Sequence, residues 1–127
     1  MATRSRIAIE NQDGTVDSIY CHFDGYLRGV GKTLFEHYDR EKTEQLVALG
    51  DLSQLNESTE SSIAYCRDRG EDLHFESFND VEDLFENGFG SGVEYVYCLT
   101  KHGIWLVNHR SSSIVSYLAD ELEEESI

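Results

Sequence analysis

The sequence predicts an α+β fold: an antiparallel or mixed sheet of two hairpins plus short strands, with helices packed mainly on one face. Three observations predict it. Residues 6–10 with 15–23, and 93–100 with 104–109, form two pairs of alternating segments joined by short glycine-containing turns. Between and after these pairs, apolar residues recur at helical spacing. Proline is absent from the 127 residues, so turns fall to Gly, Asn, Asp and Ser. That length predicts a single acidic domain, 1–127, which buries about two thirds of its unfolded surface and needs no metal or disulfide to fold.

In the first hairpin, Ile7 and Ile9 share one face, and Asp13-Gly14 marks the turn. Ile19, Cys21 and Phe23 then share a face, opposite Tyr20 and His22. Gly25, Gly29 and Gly31 crowd residues 24–31 and predict backbone with unusual dihedrals. Residues 32–38 carry Leu34, Phe35 and Tyr38 at helical spacing. Asp39 caps a second helix, whose stripe is Leu46, Val47 and Leu49 and whose end is Gly50. Residues 56–62 are polar and read as a loop. Residues 63–67 and 73–78 read as short strands about the charged turn Arg67-Asp68-Arg69-Gly70, with Ile63 and Tyr65 on one face of the first. Asn79 or Asp80 caps a short helix bearing Val81, Leu84 and Phe85. In the second hairpin Tyr95, Tyr97 and Leu99 share a face, as do Trp105 and Val107. Residues 111–113 cap a last helix through Ile114, Val115, Leu118 and Leu122, and the acidic run 121–125 and the last few residues fray.

The formal net charge of −15 is uneven. Residues 1–50 hold six Lys/Arg and eight Asp/Glu, whereas residues 51–127 hold four and seventeen. This balance excludes direct grip of a nucleic-acid backbone and adhesion to an anionic membrane. It favours a basic protein partner, or it serves solubility alone. No signal peptide opens the sequence, no apolar run nears a membrane span, and the three cysteines form no CxxC pair, which together predict a reducing cytoplasm. The oligomeric state is open.

Two acidic groups are the candidate partner-binding residues. Glu71, Asp72 and Glu76 lead into Asp80, Glu82, Asp83 and Glu86; Asp120, Glu121, Glu123 and Glu124 close the chain. Together they can imitate the phosphates of a duplex and capture a protein that normally grips nucleic acid. The alternative is a phosphate-, nucleotide- or metal-binding loop over residues 24–33. Gly29, Gly31, Lys32 and Thr33 resemble the end of a P-loop, although the first glycine of GxxxxGK[ST] would fall on Tyr26. His22, Asp24 and His37 could add metal ligands, or could simply fix the loop. Cys21 beside His22 has the residue types of a thiol–base pair, but adjacent strand residues diverge, so a buried structural thiol is favoured. Tyr95, Tyr97 and Trp105 are either an aromatic binding face or a sheet face under helices.

The segments RSRI, DGTVDSIYCHFDGY, GKTLFEHY, ALGDLS and AYCRDRGE resemble a family of small, uncharacterised acidic proteins from phage and prophage genomes, over most of residues 4–72. The resemblance implies a mobile-element origin and no catalytic residue. The expectation is a non-catalytic phage-type protein, without cofactor, in the cytoplasm of an infected bacterium. There it would inhibit a basic host protein such as a nucleic-acid-acting defence factor.

Overall fold

β1 (Ser5–Glu10) sits at the middle of an eight-stranded mixed sheet. The structure is a computed structural model that describes the backbone of residues 2–125 and the side chains of residues 2–124. β1 pairs antiparallel with β2 (Val16–Cys21), Ile7 standing opposite Ile19. The turn between them closes through Asn11, with Gly14 at φ +90°. On its other side β1 runs parallel to β6 (Tyr95–Leu99), which pairs antiparallel with β7 (Trp105–His109). Both hairpins expected from the sequence are therefore present, and a parallel seam joins them.

Alternation along these strands makes two apolar layers. Ile7, Ile9, Ile19, Cys21, Tyr97 and Val107 bury one face. It is covered by α1 (Lys32–His37), α2 (Arg40–Ala48) and α5 (Leu118–Glu125) through Leu34, Leu46 and Leu118. Ala8, Val16, Val96 and Cys98 bury the other face, under Leu84 of α4 (Val81–Asn87). The carboxylates of Asp39 and Asp80 cap α2 and α4, accepting from the amides of Lys42 and Asp83. Phe35, expected to join the α1 stripe, faces solvent.

The middle of the chain departs from expectation. β3 (Leu52–Gln54), absent from the sequence reading, runs parallel to the end of β2 and accepts from the amides of His22 and Phe23. The strand expected over 63–67 shrinks to β4 (Ile63–Ala64), and Tyr65–Arg69 turns into α3. Polar side chains drive that change. Asp68 takes the Ala64 amide at 2.8 Å, and Arg67 donates to the carbonyls of Thr59 and Ser62. Gly70 ends α3 at φ +70°, so residues 67–70 are a helix end rather than a turn between paired strands. Of 73–78 only β5 (Glu76–Phe78) is a strand, and it pairs with β2. At the far side, β8 (Ser116–Tyr117) pairs with β7 where a helix start was expected. Ile114 and Val115 are consequently exposed instead of forming a buried helical stripe. The acidic run 121–125, expected to fray, is helical through Glu125; the expected fraying of the last residues falls on 126 and 127, outside the described residues.

Candidate interaction surface at the sheet edge

The glycine-rich segment 24–33 is packed against its own chain. Leu27–Gly31 forms a π-helical turn that continues into α1. The Val30 amide donates to the Asp24 carbonyl at 2.8 Å and the Gly29 amide to the Tyr26 carbonyl at 3.0 Å. Asp24 adopts φ +59°, and a β-carbon on Gly29 would collide with the Asp24 carbonyl. Gly31 lies against the Tyr97 ring, where an added β-carbon would stand 3.1 Å away. These glycines therefore permit close packing, and the Gly29 and Val30 amides point inward to carbonyls rather than outward to a phosphate. Lys32 is exposed and Thr33 half-buried.

The two histidines near this loop take separate partners. His22 Nδ1 is 2.8 Å from the Tyr20 hydroxyl, while His37 Nε2 lies 3.7 Å from Glu57 and 3.9 Å from Glu36. Among the described residues no three His, Cys, Asp or Glu side chains group to hold a metal ion. Cys21 is fully buried, and burial pushes its thiol up to about 12, far from a nucleophilic thiolate. Tyr97 and Trp105 are buried beneath the helices, donating to the carbonyls of Gly25 and Tyr38. Those aromatic residues are core, with the half-buried Tyr95 ring stacked on Tyr97.

The acids divide into three settings. Glu71 and Asp72 are exposed in the segment after α3. Glu76 lies 3.7 Å from the buried guanidinium of Arg6, which also donates to the Gly88 carbonyl and the Ser18 hydroxyl. That carboxylate balances a charge inside the sheet and is a poor candidate for a partner. Asp80 and Asp83 hold the first turn of α4. Asp83 accepts from the Asn79 amide and the Asn87 side chain, and these bonds hold its carboxyl below the ordinary range. Asp120, Glu121 and Glu124 of α5 line a hollow along β8, whereas Glu82 and Glu86 of α4, the helix on the other sheet face, line a separate hollow that shares Val115 with it; Glu123 is exposed on α5.

Three hollows follow one another around this edge, each sharing residues with the next, and together make an acidic trough. The first, about 790 Å³, lies between α1, the turn before β7 and the start of α5, with Phe35, Ile104 and Tyr117 on its walls. The second, about 460 Å³, shares Tyr117 and Asp120 with the first and runs along β8 past Val115. The third, about 640 Å³, shares Val115 and reaches Phe85 and Glu86 of α4. Tyr117 is 56% exposed and Ile104 46%. Seven carboxylates line the trough, against two arginines, and one of those, Arg40, already pairs with Glu44 at 3.6 Å. The apolar members of this surface escaped the sequence reading because Ile114 and Val115 fit a helical stripe. Their β-branching, beside three serines, was the signal for an extended edge.

The fold is thus an α+β sheet whose β8 edge is acidic and apolar-walled. In comparisons with known proteins, the chain matches no family model, no curated protein and no solved structure. Among the described residues no helix is long and apolar enough to cross a membrane.

Proposed function

We propose that this is a non-catalytic binding protein that captures a basic protein through the acidic trough at the β8 edge. One observation carries the reading: Asp120, Glu121 and Glu124 of α5 flank the exposed Tyr117 and Val115 at the end of the sheet, and Glu82 and Glu86 of α4, far away in sequence, line the next hollow beyond Val115. Acids placed only for solubility would be spread evenly, with no apolar floor between them. Desolvated contact on Tyr117 and Ile104 supplies affinity, while the carboxylates steer the partner and select its charge. The phage resemblance of residues 4–72 supports a bacterial host protein as the partner and inhibition as the outcome. The rows of carboxylates support nucleic-acid mimicry as the means.

The test is affinity capture from bacterial lysate at low and high salt, with and without excess duplex DNA. Reversal of the trough charges (Glu82→Lys with Glu86→Lys, or Asp120→Lys with Glu124→Lys) should abolish retention of a basic partner. Glu71→Lys with Asp72→Lys, away from the trough, should leave retention largely intact. Displacement by DNA supports mimicry. Equal retention by the wild type and the trough variants overturns the assignment.

A further inference from the structure

Building on the acidic-trough reading, we propose that the part of the partner bound there is an extended segment alternating basic and apolar residues, added to the sheet beside β8 as a new edge strand. The two edges of the main strand order are treated differently. At β4 the Asp68 carboxylate occupies the Ala64 amide, and Arg67 fastens the preceding loop, so that edge is plugged. At β8 the sheet ends with no strand beyond it among the described residues. Sheet edges left bare invite another strand, and natural proteins block them with charge, a bulge or a cover. Here the charge stands beside the edge, on α4 and α5, and leaves the apolar Val115 and Tyr117 exposed at the edge itself.

The geometry also selects the occupant. An extended chain presents side chains alternately to two sides. Along β8 a hollow lined by Asp120, Glu121 and Glu124 suits Lys or Arg, and the adjoining hollow, which shares Tyr117 and Asp120 with it, adds apolar walls. The Tyr117 and Ile104 hollow suits an apolar side chain. Main-chain bonds to the edge would fix direction and register, as in other strand-addition complexes. A second copy of this chain is disfavoured, because it would bring the same carboxylates against themselves in a molecule of net charge −15.

The probes are synthetic peptides of about eight residues, an ordinary strand length: alternating Lys and Val, and the same composition in two blocks. Two further versions of the alternating peptide carry N-methyl groups on odd or on even amides. Binding is read by calorimetry. Strand addition uses the amides of one peptide edge only, so one methylated set should lose about tenfold or more in affinity and the other should bind as the parent does. The alternating peptide should beat the blocked one, and Tyr117→Lys, on an exposed side chain, should remove that preference. Equal binding of both methylated sets, or of alternating and blocked peptides, overturns strand addition while leaving basic capture standing. Failure of every peptide, with lysate capture still sensitive to the trough charges, also overturns only the strand. Failure of both overturns the acidic-trough reading itself. Self-association in sedimentation that Tyr117→Lys abolishes would show that a second copy covers the edge, and would overturn the proposal.

Discussion

Cys21 and Cys98 sit on opposite faces of the sheet, each fully buried, and each thiol is pushed by desolvation from an ordinary value of 9.0 to about 12. In the unfolded chain the same thiols lose their protons near that ordinary value of 9.0. The folded state therefore holds two protons that the unfolded state releases. Their contribution to stability is fully present below the unfolded value and is lost as the pH rises towards 12. Stability should fall by roughly 1 kcal/mol per pH unit for each thiol across that window. Urea unfolding at pH 8 and pH 10 measures this fall, and the Cys21→Ala, Cys98→Ala double variant should show a shallower slope whatever its starting stability. Equal slopes would contradict the burial argument. Thiol reagents should label the half-buried Cys66 first in the native protein, with the other two reacting only on unfolding.

At the scale of elements, α4 shows how a local rule fixes a functional placement. The helix has seven residues, and its first turn depends on Asp80 and Asp83 accepting backbone amides. Replacing Asp80 by Ala should cost about 1 kcal/mol by thermal or urea unfolding, and a loss below a few tenths would mean that packing of Leu84 alone holds the helix. Such caps are visible in sequence because acceptor, spacing and apolar stripe lie within a few residues. The two hairpins are visible for the same reason: strict alternation and a glycine turn are local. Tyr65–Arg69 was not visible, since its turn into a helix depends on Arg67 reaching the carbonyls of Thr59 and Ser62. β3 has three residues and is defined by its parallel neighbour, which no local pattern announces. The candidate site follows this division. Its acids could be named from sequence, but the placing of the α5 acids along β8 depends on which strand ends the sheet, and Glu76 could not be separated from the rest without Arg6 beside it.

At the scale of the whole molecule, one quantity acts on folding and on capture with opposite sign. Twenty-five carboxylates and ten Lys/Arg leave a compact surface that repels itself. Only three ion pairs with Lys or Arg are seen among the described residues, so screening falls mainly on repulsion. Raising salt from about 0.01 M to 0.15 M shortens the Debye length from about 30 Å to 8 Å. Melting temperature should then rise by a few degrees, because neighbouring carboxylates no longer feel one another across the surface. Over the same range, affinity for the alternating Lys–Val peptide should fall, because the trough attracts it through those charges. Differential scanning fluorimetry and calorimetry on one salt series measure both. A protein whose acidity served solubility alone would gain stability with salt and show no matching loss in peptide binding. Opposite slopes, with the binding slope reduced by Asp120→Lys and Glu124→Lys while the stability gain persists, would assign the attraction to the β8 edge rather than to net charge.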